Sequence, residues 1–373
     1  MTERFSRDRI IGILVLLPSI ILVGIFVYGF IVTTIYISMT DSNTVQQLSG
    51  TQPNFIGFQN YTTLFTATVD AGRFRTDLVN NVFFTILFII ACLVIGIGLA
   101  ILLDQKIKGE SLFRTIFLFP MALSFVVTGV VWRWLFNPTS GLNALPTAVG
   151  LPAFQFDWFI SQDQWLKFNW QSLPTIIAII LLGVVIFFAL YFWSHKRSQL
   201  AAFVTGIAIL LLASLALDIP SRFNGLRNPE AKGFNLALLA VVVAAAWQMS
   251  GYTMAMYLAG LRGISDDLRE AARVDGATEF GVYRYVVFPL LQPITLSAII
   301  ILGHISLKIF DLVFVMGGGN NIQIDMPGIN MFFTTYRGGQ TAIGAAIAVI
   351  MLLMVAVVIV PYLWSSLRSE VQH

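Results

Sequence analysis

Three ionisable residues, His304, Lys308 and Asp311, lie inside an otherwise apolar run in the last quarter of the chain. Spacings of four and three put them on one face of a helix. A charge surrounded by hydrocarbon is costly unless it is paired or faces a wet cavity, so Lys308 and Asp311 are expected to pair, with His304 one turn away. Two roles fit that face: it lines a substrate path, or the pair fixes the rotation of its helix against a neighbour. A second polar set lies in WQMSGYTM, Trp247 to Met254. Gln248 and Tyr252 are one turn apart, an amide and a phenol suited to sugar hydroxyls. Gly251 between them allows close backbone approach or a kink.

The densest group of charges is elsewhere, in DDLREAARVDGATEFGVYRY, Asp266 to Tyr285. Ser265 is placed to cap a short helix. Asp266 and Asp267 suit its first turn, where the helix dipole favours negative charge. Gly276 is placed to end it in the left-handed conformation. Leu268, Ala271, Ala272 and Val274 then fall toward one side, and Asp266, Arg269, Glu270 and Arg273 largely toward another. A second short helix is expected from Thr278, and Pro289 suits the first turn of the apolar run that follows. The whole reads either as a solvated loop or as a knob shaped to enter a groove.

The elements that hold these residues are membrane spans. The chain has 373 residues, 57% of them hydrophobic and 11% charged, with a mean hydropathy of +0.82. A soluble domain is roughly 45–50% apolar, and a helix needs about 20 apolar residues to cross a bilayer with its backbone satisfied. Eight such runs occur: Ile11–Met39, Val82–Leu103, Ile116–Phe136, Leu173–Trp193, Gln199–Leu217, Phe234–Leu258, Pro289–Val315 and Ala342–Ser365. The first is longer than the apolar core of a signal peptide and no small-residue cleavage site follows it, so it is expected to be a retained helix. Gly96, Gly98, Gly344, Ala345 and Ala348 are expected to be helix-packing positions. The single cysteine, Cys92, lies in the second run, which excludes an intramolecular disulfide.

Charge sets the expected orientation. With both termini inside, the inside segments hold thirteen Lys and Arg, among them Arg4, Lys106, Lys196, Arg197, Arg262, Arg269 and Arg273. The outside segments hold eight, among them Arg73, Arg133 and Arg227. This excess predicts cytoplasmic termini and a cytoplasmic knob. The outside segments Thr40 to Asn81 and Asn137 to Gln171 are polar and aromatic, and Trp158, Trp165 and Trp170 suit an interfacial belt. No phosphate-binding G-x-x-x-x-G-K-[ST], no G-x-S-x-G elbow and no H-E-x-x-H pair occurs, and His195, His304 and His373 are far apart. No catalytic residue and no metal ligand is therefore expected, and nothing points to nucleic acid.

Glu270-Ala271-Ala272, then Gly276, Val286 and Phe288-Pro289, resembles the EAA loop of the integral membrane subunits of binding-protein-dependent ABC importers. Val286 and Phe288 stand where Ile and Leu are usual. FIGFQNY (Phe55 to Tyr61), LFRTIFLFP (Leu112 to Pro120), VWRWLFNPTSGLNAL (Val131 to Leu145), YLAGLRGI (Tyr257 to Ile264) and KIFDLVFVMGGG (Lys308 to Gly319) are similar to the maltose-type carbohydrate permeases. The resemblance implies an all-α polytopic bundle of about eight spans, a type I importer core with an extra helical hairpin. Its divisions would be an N-terminal helix and outside loop (1–81), two core helices with an outside loop (82–171), the inserted hairpin (172–233), and core helices with the EAA loop at about 259–288 (234–373).

The resemblance further implies ATPase coupling through Glu270, Ala271, Ala272, Asp275, Gly276 and Pro289. It places the substrate path near Gln248, Tyr252, Ser306, Lys308 and Asp311. It implies no cofactor in this chain, with ATP-Mg on two copies of a cytoplasmic ATPase. The remaining expected partners are a second permease subunit in a heterodimer, an outside sugar-binding protein, a carbohydrate and the bacterial-type inner membrane. Three other readings stand beside it: glycerol-phosphate as cargo, an ion-coupled secondary transporter using His304, Lys308 and Asp311, and an enzyme acting on lipid-linked sugars.

Overall fold

The computed structural model of the protein describes residues 7–66, 70–105, 107–159, 161, 163–169, 172–195, 198–222, 231–319 and 321–370. Arg4, Lys106, Lys196, Arg197, Arg227 and Trp170, which entered the charge and aromatic readings, lie outside the described residues. Six helices among the described residues are long and apolar enough to cross a membrane, and two bent pairs raise this to eight if each is one crossing. The chain is a multi-pass membrane protein of the expected helical class.

Helix α1 (Gly12–Ser38) is followed, after an irregular segment, by α2 (Asp70–Asp104). α2 begins at Asp70 rather than near Val82. At 1.5 Å per residue its 35 residues run about 52 Å, well beyond the roughly 30 Å of hydrocarbon. The extra turns are packed inside the protein: Phe74, Thr76, Asp77, Asn80 and Asn81 are buried there.

The third expected span is not straight. α3 (Glu110–Leu118) runs into a tight turn at Phe119–Ala122, and α4 (Phe125–Leu135) leaves it at 99°. Pro120 lies in that turn, Leu123 and Ser124 are extended, and the Ser124 hydroxyl caps the new helix by accepting from the Val127 N–H at 3.3 Å.

The fourth and fifth expected spans form a helical hairpin, α5 (Leu173–Ser194) and α6 (Ser198–Ala216). Its root is clasped by two antiparallel strands that the sequence did not suggest, β1 (Gln164–Asn169) and β2 (Ala231–Asn235), paired from Gln164 with Asn235 to Asn169 with Ala231. A Cβ at Gly233 would lie 2.2 Å from the Trp165 carbonyl, so only glycine lets the strands close. α5 and α6 pack chiefly on each other.

α7 (Leu236–Arg262) is the core helix. Of its most apolar stretch 72% is buried inside the molecule, against 11% for α5 and 6% for α6, so the hairpin keeps its faces for lipid. Asn235 starts α7, its side-chain oxygen accepting from the Leu238 N–H at 2.7 Å. α7 lies along α2, where a Cβ at Gly96 would fall 2.2 Å from Thr253 Oγ1, and the Thr253 hydroxyl donates to the Cys92 carbonyl at 2.7 Å. Gly96 and Gly344 are the close-packing positions expected of them, Gly344 against Thr335. Gly98 faces open space.

After α7 come α8 (Asp266–Val274) and α9 (Glu279–Val282), continued by a wide turn at Tyr283–Val287 and a last turn at Phe288–Leu290. α10 (Gln292–Leu307) then departs at 62°. Pro289 therefore closes the preceding helical segment rather than opening the span, and Pro293 is the proline in the first turn of α10. α10 stops at Leu307, α11 (Asp311–Met316) and α12 (Pro327–Phe332) follow, and α13 (Thr341–Glu370) ends the described chain.

Candidate functional site

The knob forms as a closed unit. Gly276 has φ +88°, the Ala277 N–H donates to the Ala272 carbonyl at 3.0 Å, and the Gly276 N–H to the Arg273 carbonyl at 3.0 Å. Those two bonds are a Schellman motif, which satisfies the carbonyls at the end of α8. Thr278 starts α9 by accepting from the Gly281 N–H at 3.2 Å. Ser265 makes no capping bond through its side chain, unlike the expectation. Arg273 donates to both carboxylate oxygens of Glu279, at 2.7 and 3.3 Å, and so fastens α8 to α9 across the glycine. The bond to Glu279 raises the Arg273 pKa.

The faces of α8 differ from the expected division. Arg269 is tucked inward: its guanidinium donates to Asp104, the last residue of α2, at 2.8 Å and to the Leu261 carbonyl of α7 at 2.8 Å. Ala272 and Ala277 pack toward a cluster containing Leu103, Tyr257, Leu261 and Val287. Glu270, Ala271, Asp275 and Gly276 face out. So do Val274 (87% exposed) and Phe280 (71% exposed). α8 thus offers small and apolar groups to solvent on one side and is ion-paired to the bundle on the other. Glu110 extends the anchoring, its carboxylate accepting from Arg262 at 2.6 Å and Arg114 at 2.7 Å. Sequence reasoning missed the Arg269–Asp104 and Arg262–Glu110 pairs because those partners are distant in the chain.

The polar membrane residues are distributed over two helix breaks. Lys308 follows the last turn of α10 and Asp311 opens α11, with Phe310 between them at φ −133°, ψ −62°. The single helical face expected for His304, Lys308 and Asp311 is thereby interrupted. Among the described residues no Lys308–Asp311 ion pair forms, and both side chains are exposed. Ser306 is buried, donates to the Gly303 carbonyl at 2.9 Å, and offers its own carbonyl to Asn81 at 3.2 Å.

Gln248 is buried at the other break. Its amide donates to the Leu123 carbonyl at 2.7 Å, supplying the partner that the α3–α4 bend removes, while its Oε1 has no partner. Gly251 serves close approach rather than a kink, since a Cβ there would meet the Phe117 carbonyl at 2.1 Å. Tyr252 is half-buried beside these groups. α7 packs against both α10 and α11, so the two breaks flank one core helix.

Residues 93–368 match the family described as binding-protein-dependent transport system inner membrane component. The chain belongs to that family. It is 35% identical over 371 residues to a probable ABC transporter permease protein of Pyrococcus horikoshii, covering 98% of this chain and 99% of the other. It is 30% identical over 351 residues to a xylose/arabinose import permease protein of Haloferax volcanii, covering 92% and 84%. The fold is shared with a crystal structure of a bacterial ABC transporter involved in import of the acidic polysaccharide alginate, at TM-score 0.60 and 18% identity over 95% of this chain and 94% of that one. This permease is thus a transport component, not an enzyme, and the ion-coupled and lipid-linked readings fall away.

Proposed function

We propose that the permease forms half of the translocation path of an ATP-driven, binding-protein-dependent carbohydrate importer. The observation that carries the reading is the knob, whose Schellman-closed helix presents Glu270, Ala271 and Val274 outward while Arg269 holds its back to the bundle. Family membership supports reading the knob as the contact for a separate ATPase, with Asp275, Gly276, Ala272 and Pro289 shaping it. Sugar as cargo is favoured by relatives that include the xylose/arabinose import permease and a trehalose/maltose transport system permease protein of Thermococcus litoralis, 24% identical over 357 residues.

The partners in this reading are a second permease subunit, two copies of a cytoplasmic ATPase carrying ATP-Mg, and an outside binding protein. Both termini lie in the cytoplasm. ATP-driven closure of the ATPases moves the knobs, and the membrane helices rock with them. Tyr252, Lys308 and Asp311 supply accessible polar groups at the path. Gln248 and Ser306 hold the helix breaks beside it, with Gln248 Oε1 left for a ligand.

The test is a nucleotide-dependent crosslink from Ala271→Cys, in a Cys92→Ala background, to the candidate ATPase, with uptake of xylose, arabinose, maltose and trehalose assayed in membrane vesicles. Ala271 is the better probe because Ala272 points into the bundle. A crosslink, and uptake lost in Glu270→Ala with the protein still in the membrane, are expected. No crosslink and full uptake in that variant would sink the reading.

A further inference from the structure

The backbone joins the knob to α7 through Gly263–Ser265 and to α10 through Tyr283–Leu291. The ion pair between Arg269 and Asp104 joins it to α2 as well, and both side chains are largely shielded, at 15% and 10% exposed. α2 runs unbroken from that pair to the opposite end of the bundle, where Arg73 lies 31 residues, about 47 Å, away.

A second fastening waits there. Arg73 pairs with the buried Asp325 at 2.6 Å, and the same carboxylate accepts the Gly319 N–H at 2.5 Å. Asn80 donates to the Asp325 carbonyl at 3.0 Å, and Asn330 donates to Asp77 at 2.7 Å. The segment from Gly317 to Asn330 is thus bound to the upper turns of α2. Gly319, at φ +86° and with a Cβ position only 1.9 Å from the Phe333 ring, admits no other residue at the start of that segment.

Two ion pairs, one at each end of α2, tie that helix to the knob and to the Gly317–Asn330 segment. We propose that Arg269 and Asp104 are positioning residues for coupling: their pair makes α2 move with the knob, and α2 carries that movement to the Gly317–Asn330 segment through Arg73 and Asp325. The inference rests on the knob being the ATPase contact. α7 supplies a parallel link, since Asn235 at its outer end donates to the Gln323 carbonyl at 2.9 Å. Losing the Arg269–Asp104 pair therefore leaves the knob attached to α7 and α10 while removing its ion pair with α2.

The assembled transporter, with its ATPase and binding protein, tests this in proteoliposomes. Ile322, half-exposed on the outer segment, is changed to Cys in the Cys92→Ala background, and its thiol labelling is read with and without nucleotide. In Asp104→Asn we expect the Ala271→Cys crosslink to persist, while uptake falls about tenfold and the nucleotide effect on Ile322→Cys labelling disappears. Asp104→Glu, which keeps the charge, and the exchange of Asp104→Arg with Arg269→Asp should restore both. Wild-type uptake and labelling in Asp104→Asn would overturn the inference. So would loss of the crosslink together with uptake, since the pair would then only hold the knob's shape. Failure of both restoring variants would overturn it as well. Absence of the crosslink in the parent protein would instead remove the proposed function, and this inference with it.

Discussion

At the scale of single residues, the chemistry of the membrane core depends on where helices stop. A spacing of three predicts that Lys308 and Asp311 pair, which holds only within one continuous helix. The break at Phe310 removes that premise, and the two charges act separately. A double-mutant cycle on uptake with Lys308→Met and Asp311→Asn should therefore give a coupling below about 0.5 kcal/mol, the value for independent sites. A larger coupling would restore the pair. Gln248 makes the opposite point, because its residue type was noticed but its partner was not. The Leu123 carbonyl is freed by a bend that becomes visible only when α3 and α4 are seen at 99°. Gln248→Leu strands that carbonyl in an apolar setting and should cost about 1–3 kcal/mol, read as a lowered melting midpoint of the detergent-solubilised protein.

Among the elements, the knob was the most legible because its determinants are local. Gly276, Thr278 and the small residues of α8 are set by neighbours within a few positions, and the structure realises the Gly276 and Thr278 signals directly. Ser265 was misread since an N-cap residue type does not ensure the bond, and no side-chain cap forms. Two substitutions separate these cases. Gly276→Ala forces a side chain into the left-handed region at about 1–2 kcal/mol, which should fray the end of α8 and reduce the Ala271→Cys crosslink. Ser265→Ala removes no bond and should stay within about 0.5 kcal/mol of the parent, with coupling unchanged. The prolines were harder to read. Pro120, Pro289 and Pro293 all mark disturbances, but a window of apolar residues passes over Pro120 and Pro293, and Pro289 reads as the start of a span rather than the end of the segment before it. The fastening of α2 to the outer segment was beyond reach for another reason. Arg73 and Asp325 are 252 residues apart, and one sequence carries no signal for that pairing.

At the scale of the whole molecule, α5 and α6 are the two apolar helices that the sequence predicts between the third and sixth spans, with no role assigned to them. These two helices pack on each other, expose apolar faces along their length, and meet the rest of the protein at a root where Asn169 pairs with Ala231. That pairing brings the two ends of the hairpin together. Residues 170–230 can therefore be exchanged for Asn-Gly, a two-residue connection that suits the twist of antiparallel strands. Removing two spans leaves the number of crossings downstream unchanged in parity, so the knob stays on its side of the membrane. The core built by α2, α7, α10 and α13 should remain folded, and the shortened permease should still crosslink through Ala271→Cys and import sugar. Retained uptake would show that the hairpin serves lipid-side stability or assembly rather than the path. If uptake fails while the crosslink persists, the hairpin acts at the outer mouth, where β1 touches the segment fastened to α2: Gln164 lies 3.4 Å from Gln323.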